Sequence, residues 1–447
     1  MTSRMMFEET QIFVKQRDGE SGLGPLAASW TCRVGTMLLL VYAALSSGLA
    51  QASGNERWVA AWTTSLQSIP QLSNSLPLYR APDVGGRTLR QIIYPTLDGD
   101  TLRIRISNRY AREPLRIMAI RIAPSERGTA GTSEAGVPIT FAGSLHASLA
   151  IDAEVESDAV HIPVHHGQPY AVSIYLASGQ SLQAWHRVAS QFSYLSAPGD
   201  HTKESSGSAF RSRITQFAWL GTVSVVAPSA RGVLAIGDSI TDGMASSLGM
   251  NRRWPDDLAR RVVKQGYGPV AVLNAGISGN RLLSDSPCYG ESLSSRFERT
   301  LTDSPGVQQA IVLIGINDIN FATMPPRRGL DCDAPHTSIS ARSLIAGYQA
   351  LAAMAHRHHV RLFVGTLTPA NLPPAREAIR REVNRWIRAD QGFDGVVDFD
   401  AALRDAKEPR RLRTAYDSGD HIHPSDAGYA AMADAVPLQA VIGGPQS

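Results

Sequence analysis

Two patterns of apolar residues divide the chain. From about Thr88 to Val226 apolar positions recur at every second residue. Leu102, Ile104 and Ile106 alternate with Arg103, Arg105 and Ser107, as in a strand with one buried and one wet face. Leu115–Ile122, Val160–Val164 and Tyr170–Leu176 read similarly, and clusters of Gly, Pro, Asn and Asp separate them. Gln216–Leu220 through Val223–Val226 reads as a last strand, with Ala227-Pro-Ser-Ala230 as a linker. Short strands with turn signals and no convincing helical period predict an all-β, sandwich-like antiparallel domain over residues 55–228.

Beyond residue 229 the pattern changes. Short unbroken apolar runs stand at Val233–Ile236, Val270–Leu273, Ala310–Ile314, Leu362–Val364 and Val396–Phe399. Helical-period stretches lie between them at Pro255–Lys264, Ala341–Arg357 and Ala375–Arg388. That alternation predicts βαβ units and a parallel sheet covered on both faces, so residues 229–447 read as a doubly wound α/β domain.

Ligand crevices of such sheets open at the carboxyl ends of the strands, so the residues just beyond each run matter most. The first run leads to Gly237-Asp238-Ser239 and the second to Asn274-Ala-Gly276-Ile-Ser-Gly-Asn280-Arg281. The third leads to Gly315-Ile-Asn317-Asp318, and Asp420-His-Ile-His423-Pro424 precedes a final helix that starts near Ser425. A serine becomes a nucleophile only beside a base. His423 can supply the base, and Asp420, three residues earlier, can hold its tautomer. Acyl transfer also needs donors where negative charge develops. The backbone N–H groups of Ser239 and Gly276 and the side-chain amide of Asn317 are the expected oxyanion hole. Asn280 and Arg281 are read as substrate-binding residues or as stabilisers of their own loop. Asp238 and Asp242 are expected to hydrogen-bond the turn around Ser239, and Asp318 to serve nearby backbone. His421 lies too close to Asp420 to be oriented by it. His356-Arg-His358-His359 reads as a solvated helix end, where cations favour the dipole, and no metal site is expected.

Each piece alone is a common turn; the ordered set is not. It resembles the SGNH (GDSL-type) hydrolases, whose name lists Ser, Gly, Asn and His from four blocks. Ser239, Gly276, Asn317 and His423 match those positions, Asp420 matches the acid, and the likeness covers roughly Arg231 to Pro437. The resemblance implies a flavodoxin-like three-layer α/β/α domain, no cofactor or metal, and ester hydrolysis by two-step acyl transfer through an acyl-serine. The Gly-x-Ser-x-Gly elbow of α/β-hydrolases is absent around Ser239. With its β-rich front domain beginning Trp58-Val-Ala-Ala-Trp62, the chain is also similar to a secreted two-domain subgroup, some of whose members are polysaccharide esterases. The implied substrates are short acyl groups, acetyl above all, on carbohydrate or on small aryl and alkyl esters. Two alternatives stand beside this reading. One is a lysophospholipase or thioesterase of the same mechanism. The other is a non-catalytic surface protein that binds carbohydrate through Trp58, Trp62 and Trp185.

Charge and cysteines narrow the setting. The formal net charge is +3 over 447 residues with both signs interspersed, which leaves no footprint for nucleic acid. Met37–Ala50 is apolar, follows Arg33 and closes on Ala50-Gln-Ala52. It reads as a signal peptide cleaved after Ala52, within an N-terminal extension spanning residues 1–52. The mature protein would then be secreted or periplasmic, without stable membrane insertion; an uncut anchor is the other reading. Cys32 leaves with the leader, so Cys288 and Cys332 remain as an even pair. An oxidising compartment permits a disulfide between them, worth about 3–4 kcal/mol in the chain-entropy model. Two unrelated buried thiols are the alternative. The expected partner is a small-molecule or polysaccharide ester, and the pattern specifies no oligomeric state.

Overall fold

The five apolar runs form the centre of the molecule. The computed structural model describes residues 56–70, 79–389 and 392–443; the leader and its expected cleavage site lie outside them. The runs are the parallel strands β1 (Arg231–Gly237), β2 (Val270–Gly276), β3 (Val307–Leu313), β4 (Arg361–Gly365) and β5 (Gly395–Val397). Their order in the sheet is β2-β1-β3-β4-β5, the flavodoxin-like arrangement. Helices α1 (Ser239–Asp242), α2 (Trp254–Lys264), α3 (Leu293–Thr302), α4 (Ile316–Phe321), α5 (Ala341–Arg357), α6 (Pro374–Arg388), α7 (Phe399–Leu403), α8 (Asp426–Ala435) and α9 (Leu438–Ile442) accompany them. α2 packs on β2 and α8, whereas α3 packs on α5 and α5 on α6. Right-handed crossovers produce these two groups, because the chain steps one way from β1 to β2 and the other way thereafter.

The strands outrun the apolar residues that announce them. β1 and β2 stay paired as far as Gly237 and Gly276, since backbone pairing does not require an apolar side chain. At the other edge the expected strand Val396–Phe399 stops at Val397. Asp398 accepts a hydrogen bond from the Ala401 N–H and opens α7, so Phe399 is helical. An aspartate at an N-cap overrides the β preference of its neighbours.

Residues 56–226 fold into antiparallel sheets, as their period-two pattern implies. One sheet joins Trp58–Thr63, Leu220–Val226 and Gly99–Ser107, with Glu154–Glu156 and Val160–Val164 both on the last of these. The other is built around Arg87–Ile93, Tyr170–Leu176 and Leu115–Pro124. Leu102, Ile104 and Ile106 are buried, and Arg103 and Arg105 half-buried, along their strand.

The two halves meet along a continuous apolar interior. One hydrophobic cluster runs from Val59 through both antiparallel sheets into Val233–Ile236 and on to Ile442, and residues from Glu56 onward form a single compact unit. The strand Trp58–Thr63 lies over β2, the exposed edge of the parallel sheet. There the Thr96 hydroxyl accepts from the Val272 N–H at 3.0 Å and donates to its carbonyl at 2.9 Å, covering an edge that would otherwise invite pairing with another chain. Trp62 and Trp185 are buried, and the Trp58 ring sits under the Arg103 guanidinium at 4.5 Å. Trp62 and Trp185 thus pack the interior, and Trp58 is half-buried beneath Arg103.

Cys288 and Cys332 are joined in a disulfide 44 residues apart in sequence. It ties the loop after β2 to the loop after α4. Replacing both cysteines by alanine should lower the unfolding free energy by about 4 kcal/mol in the chain-entropy model, read as a lower urea midpoint. Reduced wild-type protein should match the variant. An unchanged midpoint would mean that the bridge places no constraint on the unfolded chain.

Candidate active site

β1 hands the chain to the site through a backbone contact. A Cβ at Gly237 would lie 1.9 Å from the Leu313 carbonyl oxygen of β3, so only glycine lets the strand pass this close. Asp238 then caps α1, its Oδ1 accepting from the Ile240 N–H at 3.0 Å, and Ser239 is the first helical residue. The C-terminal segment docks against the turn that follows α1 by two bonds. Tyr429 donates to the Met244 carbonyl at 2.6 Å, and Asp426 accepts from the Ser247 N–H at 2.8 Å.

That docking brings His423 to Ser239. His423 Nε2 lies 2.8 Å from Ser239 Oγ, and His423 Nδ1 lies 2.6 Å from Asp420 Oδ2. The other Asp420 oxygen accepts from the backbone N–H of Ile422 at 2.9 Å and of His423 at 2.8 Å. Burial pushes this carboxyl up, but the bonds from the His423 ring and these two N–H groups prevail and hold it well below the usual carboxylate range. His421 has a different partner, with its Nδ1 2.6 Å from Asp417 Oδ2.

The expected oxyanion donors separate into two groups. Ser239 stands at the helix start, and its N–H meets no acceptor among the described residues. Asn317 donates from Nδ2 to the Asn280 carbonyl at 3.0 Å, which leaves the second hydrogen of that amide to give. Gly276 does not fit. Its N–H is spent on the side chain of Asn274, two residues earlier, at 3.0 Å, and it pairs with Gly237 at the end of the sheet. The neighbouring N–H without an acceptor among the described residues belongs to Gly279. Gly279 has φ +87°, and a Cβ there would fall 2.4 Å from the Tyr289 ring, so this turn requires glycine. The repeated Gly in Gly276-Ile-Ser-Gly279 was the available signal, and local pattern alone does not rank the two.

Asn280 and Arg281 are buried in their own loop rather than offered to a substrate. Asn280 donates to the carbonyls of Tyr289 at 2.9 Å and Glu291 at 2.7 Å, and accepts from Arg296 at 3.0 Å. Arg281 donates to the carbonyls of Cys332 and Ala334 at 3.2 and 3.0 Å, joining this loop to the disulfide loop. The Asn280 amide and the terminal nitrogens of Arg281 are engaged by neighbouring loop backbone and side chains, and that is the physical reason against substrate contact. Arg296 escaped sequence analysis altogether. From α3 it reaches the carbonyls of Gly237 at 3.1 Å and Ala275 at 3.0 Å, capping the ends of β1 and β2. Burial pulls its guanidinium down to about 10. Asp318 accepts from the N–H groups of Leu282 and Leu283 at 2.8 and 3.0 Å.

Serine, imidazole and carboxylate thus stand in line at the carboxyl edge of the doubly wound half. Residues 235–431 match the GDSL-like lipase/acylhydrolase family. That match covers somewhat less than half of the chain and supports an ester-hydrolysing enzyme. No curated protein matches it in sequence. Among solved structures it is similar to an acetylxylan esterase from Geobacillus stearothermophilus, at 22% identity over 47% of this chain and 94% of that one, with a TM-score of 0.35. A GDSL-like lipase from Bacteroides thetaiotaomicron is 15% identical over 47% and 87%, with a TM-score of 0.33. An arylesterase candidate from Agrobacterium tumefaciens is 20% identical over 47% and 99%, with a TM-score of 0.34.

Two buried carboxyls make stability depend on pH. Burial is the largest cause in each case, pushing Asp238 up to about 7 and Asp318 up to about 6. Both bind a proton more tightly folded than unfolded, where carboxyls titrate near 4. Folding therefore takes up protons between about pH 4 and 7, and their contribution to stability falls as pH rises through that window. Asp238→Asn keeps an oxygen to cap Ile240 and cannot ionise. Its stability relative to wild type should rise steadily from pH 5 to pH 8 in urea titrations. A difference that stays flat would mean that Asp238 is ionised throughout.

Proposed function

We propose that this protein is an exported serine carboxylic-ester hydrolase that works through an acyl-serine and removes short acyl groups, acetyl above all, from carbohydrate or small aryl and alkyl esters. The observation that carries the reading is the line Asp420–His423–Ser239, with separations of 2.6 and 2.8 Å. In the first step Ser239 Oγ attacks the ester carbonyl carbon while its proton passes to His423 Nε2. The carbonyl oxygen takes the negative charge and is met by the N–H groups of Ser239 and Gly279 and by Asn317 Nδ2. Collapse breaks the bond to the alkoxide, which leaves with the proton held on His423. Water then attacks the acyl-serine, His423 takes and returns a proton again, and the acid is released. Asp420 stays ionised and holds the imidazole through Nδ1.

Export is supported by the apolar leader ending at Ala52 and by the disulfide, which belongs to oxidising compartments. The loop after α4, with Met324-Pro-Pro-Arg-Arg and Asp331-Cys-Asp, is rich in proline and charge and offers no long apolar run to receive a fatty chain. That favours short acyl groups over a fatty chain.

Initial rates of the chain from Ser53 onward on 4-nitrophenyl acetate, butyrate and octanoate test the proposal, beside Ser239→Ala. Rates should fall with acyl length and vanish in the variant. A peak at octanoate would replace this reading with the lysophospholipase or thioesterase alternative. A variant as fast as wild type would refute Ser239 as nucleophile. Asn317→Ala should lose roughly 10²–10³ in kcat, about 2.7–4 kcal/mol of transition-state stabilisation, with KM little altered.

A further inference from the structure

All three polar groups of Ser278, the residue before Gly279, are held, and the hold traces to one dipeptide of the β-rich half. Asp242 Oδ2 accepts from the Ser278 N–H at 2.8 Å and from its hydroxyl at 2.6 Å. Asp242 Oδ1 faces His186 Nε2 at 3.0 Å, and His186 Nδ1 faces the Ser65 carbonyl at 3.0 Å. The next residue, Arg187, donates from Nη2 to the Ser278 carbonyl at 3.5 Å. Its guanidinium lies 5.3 Å from the centre of the Tyr79 ring and 5.7 Å from that of Tyr289, and the Tyr289 ring is the one packed on Gly279. His186, Arg187 and Asp242 are 4, 5 and 2% exposed.

We propose that His186 and Arg187 are positioning residues for ester hydrolysis, so that the β-rich half is a working part of the active site. The inference rests on the serine-hydrolase reading. Asp242 closes α1, whose first residue is Ser239, and α1 has only four residues. A helix that short has no stability of its own and takes its place from what holds its ends. A buried carboxylate also demands partners. His186 gives Asp242 a partner on the side opposite Ser278, which fixes the carboxylate between α1 and the Ser278–Gly279 turn. If His186 is lost, Asp242 must turn or draw in water, and the Gly279 N–H moves relative to Ser239 Oγ. A donor that acts on the developing oxyanion matters more in the transition state than in the bound ester. The loss should therefore appear in kcat. Arg187 steadies the same turn from its carbonyl side through a longer bond, so its removal should cost less.

The test compares His186→Ala, His186→Gln, Arg187→Met and Arg187→Lys with wild type and Ser239→Ala on 4-nitrophenyl acetate. It adds inhibition by a trifluoromethyl ketone, which forms a tetrahedral adduct on the serine. Circular dichroism establishes the folded fraction. For His186→Ala, kcat should fall about 10–100-fold and KM change little, with the ketone weakened in step with kcat/KM. Glutamine keeps an N–H for Asp242 and should recover most of the loss, and lysine should do so at position 187. A purely structural role would lower the folded amount and leave the kcat and inhibition constant of the folded enzyme unchanged, which overturns the proposal. If His186→Ala does not fold, Arg187→Met decides by the same two readouts. Wild-type kcat in folded His186→Ala beside an inactive Ser239→Ala would refute the positioning role alone. An active Ser239→Ala would refute the nucleophile reading and this inference with it.

Discussion

The Asp242 carboxylate joins three stretches of chain that are far apart in sequence. It sits at the end of the helix that begins with Ser239, holds the Ser278 N–H and hydroxyl after β2, and meets His186 from the β-rich half. Placed at 2% exposure, it cannot fall back on water, so its neighbours must be where they are or the charge goes uncompensated. Arg296 imposes a second demand of the same kind. Its donors meet Gly237, Ala275 and Asn280, the ends of β1 and β2 and the loop beyond. An anion and a cation, each buried, thus hold the crevice loops in register with Ser239.

The remaining architecture serves that register. The order β2-β1-β3-β4-β5 brings the carboxyl ends of β1, β2 and β3 side by side, and these strands lead to Ser239, Gly279 and Asn317. Such an order leaves β2 as an open edge close to the site. The β-rich half closes it through Thr96 and the strand Trp58–Thr63, and its apolar interior continues into that of the parallel sheet. A half bound by a shared core and by buried polar partners has no surface along which to swing away. Motion of the site must therefore come from its loops, of which the disulfide and Arg281 already restrain two.

Much of the fold was legible because periodicity is a local property. Alternation of Leu102, Ile104 and Ile106 with arginines specifies a strand wherever it lies, and unbroken runs between helical stretches specify a parallel sheet. Ser239, Asn317, Asp420 and His423 were visible for a related reason, since each follows a strand or opens a helix at a recognisable turn. What the pattern misplaced or left open were questions of hydrogen-bond accounting. Gly276 and Gly279 are equally plausible in sequence, and only the side chain of Asn274 takes the N–H of the first. Asn280 and Arg281 carry groups suited to a substrate, yet backbone carbonyls of the 289–291 and 332–335 segments consume them.

By itself the sequence determined the two kinds of layer, the parallel sheet and its helices, the order of the four chemical blocks and the availability of one cysteine pair. These follow from residue type and spacing within short windows, where backbone geometry and burial are coupled. The tertiary structure alone decided which glycine N–H meets no acceptor among the described residues, that Arg296 caps two strands, and that Arg187 reaches the Ser278 carbonyl from 91 residues away while His186 reaches it only through Asp242. Those assignments depend on which buried donors and acceptors are left unpaired after the chain has closed on itself. That is a property of the whole molecule, and no stretch of sequence carries it.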